Sequence, residues 1–189
     1  LKPLSRAEAD GDQIHGVIRA SALNHGGKTN GYTVPNPLAQ AQVIAQALGQ
    51  VRIDPRAISC VEAHGTGTSL GDPIEIAGLV RAFGLPAETG WRCAIGSVKS
   101  NIGHAESAAG IAGLTKLLLQ MRHGQLVPSL HSRALNPNID WTRTPFVVQQ
   151  DLAVWQRPVI EVDGRPIEQP RLAGLSSFGA GGSNAHLII

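Results

Sequence analysis

Residues 58–75 read ISCVEAHGTGTSLGDPIE, and three local signals inside this stretch decide the fold class. Ile58–Ala63 is a short apolar run between a proline-containing turn and a glycine loop, the pattern of a buried strand. His64–Gly71 is the loop. Asp72-Pro73-Ile74-Glu75 has the form of a capping box with proline in its first turn, which predicts a helix to about Phe83. The same order returns downstream: Cys93–Val98 as a buried strand, Lys99–His104 as a loop and Ala105–Met121 as a helix. Upstream, Ile14–Asn24 alternates in part and predicts a strand that ends in the loop His25–Gly31. Asn36-Pro37 then supplies a cap and a first-turn proline, and Leu38, Ala41, Ile44, Ala45 and Leu48 recur at helical spacing up to a stop at Gly49. Phe146–Val154, Arg171–Ser176 and Ala185–Ile189 read as three further strands, with surface turns at Asn136-Pro137-Asn138 and Asp163-Gly164. Helices alternating with strands and then strands in succession predict an α/β layer fold with a mixed sheet.

The chain has 189 residues, enough for one domain. Apolar types make up 42% and charged types 16%, which excludes intrinsic disorder. A net charge of +2, scattered along the chain, gives no electrostatic footprint for nucleic acid. No apolar run approaches the roughly 20 residues of a membrane helix, and no signal peptide opens the chain, so a cytoplasmic protein is expected. Cys60 and Cys93 each sit within an apolar run and read as buried, reduced thiols. The only methionine is Met121, so Leu1 is not a normal translation start and the chain is expected to be a piece of something longer. The helix beginning at Ala105 points the same way. Its first half is nearly all small residues, including Gly110 and Gly113, each costing about 1 kcal/mol relative to alanine. Such a helix is expected to be packed on more than one side, with one layer supplied from elsewhere.

Three glycine-rich loops follow predicted strands: His64–Thr68, Lys99–His104 and Phe178–Asn184. Ligand sites of open α/β sheets gather at such strand ends. Two of the loops hold a histidine beside a glycine, and spacing alone leaves structural and catalytic readings of His64 and His104 both open. No cysteine or carboxylate at ligand spacing accompanies them, so no metal is expected. Gly65–Gly71 runs G-x-G-x-x-x-G, which misses the dinucleotide fingerprint. Gly27-Lys28-Thr29 lacks the upstream glycine of a phosphate loop, because Ala22 stands there, and no G-x-S-x-G elbow is present.

EAHGTGTSLGDPIE (62–75), GSVKSNIGHAESAAGIAGLTK (96–116) and LSSFGAGGSNAHLII (175–189) resemble, in order, the C-terminal half of the β-ketoacyl synthase domains of modular polyketide synthases. The FGAGGSNAH form is similar to that of modules that borrow their acyltransferase in trans. The resemblance implies a thiolase-like fold, of which residues 1–189 would be the C-terminal half, layered helix–sheet–helix with a mixed sheet. It implies decarboxylative Claisen condensation: an acyl thioester on a cysteine is attacked by a malonyl unit on acyl carrier protein as carbon dioxide leaves.

By the same resemblance, His64 and His104 match the two catalytic histidines, which stabilise the enolate oxygen with N–H donors. Lys99 matches the family's lysine and Glu75 a carboxylate that accompanies it, together expected as a partly buried pair orienting the His104 loop. Thr66 and Thr68 match hydroxyls on the phosphopantetheine arm. The backbone N–H of Ala180, with that of the absent cysteine, matches the oxyanion hole, in a loop of Phe178, Gly179, Ala180 and Gly181. Alanine at 180, where many fatty-acid relatives carry a bulky gate, implies a roomier acyl pocket. No tightly bound cofactor is implied, only phosphopantetheine thioesters of acyl carrier protein.

The family's nucleophile lies in a motif like T-A-C-S-S, which neither Cys60 nor Cys93 matches. The chain is therefore expected to be inactive until an N-terminal part carrying that cysteine completes it, with the complete domain a homodimer. Presence of His64 implies an elongating enzyme, since non-elongating relatives often lose that histidine. A noncatalytic half-domain kept for assembly or carrier-protein docking is the alternative.

Overall fold

The computed structural model describes residues 1–29, 31, 34–84, 90–162 and 164–189. A short helix α1 (Leu4–Ala9) precedes a six-stranded sheet of order β1-β10-β9-β2-β3-β5. Its strands are β1 (Ala20–His25), β2 (Ile58–Glu62), β3 (Cys93–Gly96), β5 (Phe146–Val148), β9 (Leu172–Phe178) and β10 (Ser183–Ile188). Strands β9, β2, β3 and β5 run parallel, while β10 pairs antiparallel with both β9 and β1. The predicted mixed sheet is therefore present.

Helices α2 (Pro37–Val51) and α3 (Gly71–Phe83) cover one face, where Val43, Ile44, Leu48, Leu79 and Phe83 pack with Ile58, Val61 and Ile95. On the other face α5 (Ala109–His123) sends Leu117 against Cys60, Ala173 and Leu175. A bulge between Ile58 and Cys60 in the pairing of β2 with β9 re-aims the side chains, so Ile58 and Cys60 join opposite cores. The glycines of α5 answer to this contact. A Cβ on Gly113 would lie 2.8 Å from Leu175 Cδ1, so nothing larger lets the helix sit this close to β9. Among the described residues nothing covers the other side of this helix: Ile111 is 61% and Leu119 49% exposed.

Several boundaries differ from expectation, each for a tertiary reason. The first strand begins at Ala20 rather than Ile14; Gly16 instead lies against Leu118 and Ile189. Helix α2 passes through Gly49 to Val51 and stops at Arg52 in the left-handed region, because Val51 and Ile53 both pack on the core. The capping box at Asp72–Glu75 does not form. Leu70 is the cap residue without a side-chain bond, and both carboxylates bond amides of the preceding loop instead. Cys93–Val98 pairs only to Gly96, and the expected Lys99–His104 loop holds a short helix α4 (Lys99–Ile102). A 3-10 turn at Glu106–Ala108 precedes α5, which starts at Ala109 rather than Ala105.

Phe146–Val154 is two strands, β5 and β6 (Ala153–Val154), the latter paired with β4 (Gln125–Leu126). The last two strands extend to Phe178 and begin at Ser183. A hairpin, β7 (Val159–Val162) with β8 (Arg165–Glu168), was not foreseen, and Asp163 of its expected turn lies outside the described residues, as does Asn30 of the His25–Gly31 loop. The Asn136 turn is present, with Asn138 N–H donating to Asn136 Oδ1.

Candidate active site

The three glycine loops converge at the carboxyl ends of the parallel strands β2, β3 and β9, as layer topology requires of loops that leave one sheet edge together. His64 leaves β2 and His104 follows α4. Their ring centroids are 5.4 Å apart, at 78°. Phe178, at the end of β9, lies 5.7 Å from His64.

The hydrogen bonds assign the same tautomer to both rings. Phe178 N–H donates to His64 Nδ1 at 3.3 Å, and Glu106 N–H donates to His104 Nδ1 at 2.9 Å. A neutral imidazole that accepts at Nδ1 carries its proton on Nε2, so each ring presents an N–H donor. Both histidines line a cleft of about 920 Å³ together with Thr66, Thr68 and Phe178–Gly182. Burial, the positive Lys99 and His104 push the His64 imidazolium down to about 4, so this ring is neutral near pH 7.

The HGTGT loop is held from behind. Glu75, buried at 4% exposure, accepts from His64 N–H at 2.8 Å and from Gly65 N–H at 2.9 Å. Burial pushes its carboxyl up to about 7, against these two donors. Gly65 sits at φ +47°, and a Cβ there would be 2.7 Å from Ser97 Cβ, so only glycine fits. Asp72 accepts from Gly67 N–H at 3.1 Å, and Thr68 Oγ1 accepts from Gly71 N–H at 3.0 Å. Thr66 and Thr68 expose their hydroxyls 3.4 Å apart on the cleft wall.

Lys99 does not form the expected contact pair with Glu75. Among the described residues it belongs to no ion pair within 4 Å, because the Glu75 oxygens are occupied by the loop amides. Lys99 lines a second cleft, of about 690 Å³, on the far side of the HGTGT loop with Ser100, His131 and Asn136. Burial lowers its ammonium while Glu75 and then Glu62 act at longer range to raise it.

The loop 179–182 is tied at both ends. Gly179 N–H donates to Ser183 O at 2.7 Å, and Gly182 N–H to Gly179 O at 2.9 Å. Ala180 lines the cleft, and among the described residues its N–H has no protein acceptor.

Two features were missed from the sequence. His25 accepts from Gly27 N–H at Nδ1, which leaves Nε2–H to donate to Gly181 O at 2.9 Å. A Cβ on Gly182 would meet the His25 ring at 2.9 Å. The second is a buried ion pair, Lys116 to Glu62 at 2.7 Å. The signal for Glu62 was a carboxylate closing an apolar strand, since a buried charge requires a partner. Among the described residues no cluster of three or more His, Cys, Asp or Glu is placed to hold a metal ion, and no helix is long and apolar enough to cross a membrane.

The family model of the β-ketoacyl synthase C-terminal domain matches residues 15–133. Over its full length the chain is 64% identical to polyketide synthase PksL and 67% identical to PksM, both of Bacillus subtilis, spanning 4% of each. It is 68% identical to ThaG of Burkholderia thailandensis, spanning 3% of it. Among solved structures, the oxazolomycin ketosynthase domain OzmH KS7 of Streptomyces albus superimposes with a TM-score of 0.91 at 58% identity. The module 6 ketosynthase of the Bacillus subtilis bacillaene synthase gives 0.85 at 43%. Each comparison covers 99% of this chain and 32% of the solved domain. The architecture is thus that of the C-terminal part of the thiolase-like ketosynthase fold.

Proposed function

This chain belongs to the β-ketoacyl synthase family, as a C-terminal ketosynthase part of the polyketide synthase type, and from that premise we propose that it supplies the decarboxylating half of a condensing site. The observation that carries the reading is the pair of imidazoles 5.4 Å apart, each with Nδ1 committed to a backbone amide and Nε2–H left over. Two N–H donors on rings 5.4 Å apart suit an oxygen that gains charge. In a malonyl thioester the bond to the carboxylate breaks, carbon dioxide leaves, and its electron pair moves into the thioester to give an enolate. Nε2–H of His64 and of His104 hydrogen-bond that oxygen as the charge forms. Donors fixed beforehand need no reorganisation, and each is worth about 3–4 kcal/mol in such sites.

The enolate carbon then attacks an acyl thioester held by a cysteine of an N-terminal part, and the collapsing intermediate expels the thiolate. The oxygen of that intermediate takes the Ala180 N–H, with the cysteine's own amide as second donor. Phe178, Gly179 and Gly181 shape this pocket, and Thr66 and Thr68 meet the phosphopantetheine arm that brings both units in on acyl carrier protein. Glu75 acts through the backbone of the His64 loop, and Lys99 by keeping His64 neutral. The reading needs no tightly bound cofactor, requires the N-terminal part for activity and takes the complete domain as a homodimer.

The test pairs this chain with an N-terminal part in one ketosynthase domain and supplies acyl and malonyl carrier proteins. His64→Ala and His104→Ala should each slow decarboxylation about 10²–10³-fold. Product formed equally well by His64→Ala would refute the roles, and carrier binding without any decarboxylation would favour a docking half-domain.

A further inference from the structure

We infer that Glu62 is a positioning residue that keeps the two histidine loops in register through a single carboxylate, a role that rests on the decarboxylation reading above. Glu62 closes β2 two residues before His64, and its side chain is 2% exposed. Oε1 accepts from Val98 N–H at 2.6 Å, at the residue that opens α4, and α4 leads directly through Gly103 to His104. Oε2 accepts from Lys116 Nζ at 2.7 Å, on the helix that packs against β9. One side chain thus joins the strand carrying His64, the turn carrying His104 and α5.

Room for this arrangement comes from Gly113, where a Cβ would stand 3.0 Å from Glu62 Cγ. Stability does not require an ion pair here. An apolar pair of similar volume commonly holds buried layers as well or better, because it avoids the desolvation of two charges. A carboxylate does something an apolar side chain does not: its hydrogen bonds fix direction as well as distance. Burial pushes the Glu62 carboxyl up while Lys116 and Val98 N–H oppose that. Glu62 also belongs with Glu75 to the pair of carboxylates that sustain the charge on Lys99, so it acts on the second loop twice.

The experiment uses a complete ketosynthase domain containing this chain and the double variant Glu62→Met with Lys116→Met, in which no buried charge is orphaned. Three quantities are read: thermal midpoint, hydrogen exchange of the 98–104 amides, and the separate rates of malonyl decarboxylation and acyl loading. The expected result is a parental midpoint, faster exchange at 98–104 and decarboxylation about 10–100-fold slower, since small misplacements of catalytic groups have effects of that size. Acyl loading draws on the 179–182 loop, which shares no hydrogen bond with Glu62, and should keep its rate.

A folded double variant with parental exchange and parental decarboxylation overturns the inference. So does a parallel fall of both rates together with the thermal midpoint, which is what a merely structural pair would give. If the double variant does not fold, Glu62→Gln, which keeps the volume and one acceptor oxygen, is read by the same exchange and rate split. Exchange does not depend on the reaction. Faster exchange alongside a His64→Ala domain that still decarboxylates would sink the functional reading and leave the positioning role standing.

Discussion

Replacing Glu75 with glutamine isolates the cost of holding the HGTGT loop with a buried charge. The carboxyl titrates at 4.5 in the unfolded chain and at about 7 in the folded one, burial being the largest cause. Between those values the folded state binds the extra proton, so its stability is full below 4.5 and falls as pH rises through about 7. One step in pKa is worth about 1.4 kcal/mol, so ionised Glu75 costs the fold about 3 kcal/mol above pH 7 relative to its neutral form.

Glutamine resembles the protonated acid, with one oxygen left to accept from either His64 N–H or Gly65 N–H but not both. At about pH 4, Glu75→Gln should therefore match the parent in denaturant unfolding of the complete domain. From pH 5 to 8 the variant should become progressively more stable than the parent, levelling near 3 kcal/mol. Taking the difference between parent and variant at each pH removes the other carboxylates from the comparison. Decarboxylation should fall although stability rises, because one of the two amides that aim His64 loses its acceptor. A constant difference at every pH, or a parent that gains on the variant as pH rises, would refute the reasoning.

Three further outcomes are expected. With His64 titrating at about 4, decarboxylation should show no loss from this ring between pH 5 and 8, and a pH–rate profile of the carrier-bound malonyl substrate checks it. Gly65→Ala places a Cβ in the left-handed region and 2.7 Å from Ser97 Cβ, so it should cost at least about 1–2 kcal/mol in denaturant unfolding. Its decarboxylation should fall with the displaced histidine. His25→Ala removes the Nε2–H bond to Gly181 O, worth about 1 kcal/mol, and should slow acyl loading while sparing decarboxylation, as measured by separate half-reaction assays.

The main order of strands and helices is legible because a buried strand such as β2 is a short apolar run and α2 keeps its helical period, whereas the short α4, β4 and the β7–β8 hairpin carry no such pattern. Boundaries were less legible. Gly49 reads as a stop, yet the helix passes it to Val51, which packs on the core. Asp72 and Glu75 read as a cap for their own helix, but their oxygens go to amides several residues upstream. Local propensity cannot rank a partner that arrives only when the chain closes on itself.

The candidate site divides in the same way. Spacing alone brings His64 and His104 to notice without deciding between structural and catalytic readings, and only the resemblance of the three motifs adds Thr66, Thr68 and the 178–181 loop. Tertiary structure decided what those residues touch: which ring nitrogen keeps its proton, that Lys99 faces the cleft beyond the HGTGT loop, and that Glu62 and Lys116 meet across 54 residues. The reason is physical. Sequence spacing sets which backbone groups a side chain can reach within a turn, whereas desolvation and long-range hydrogen bonds exist only after the sheet has brought distant strands side by side.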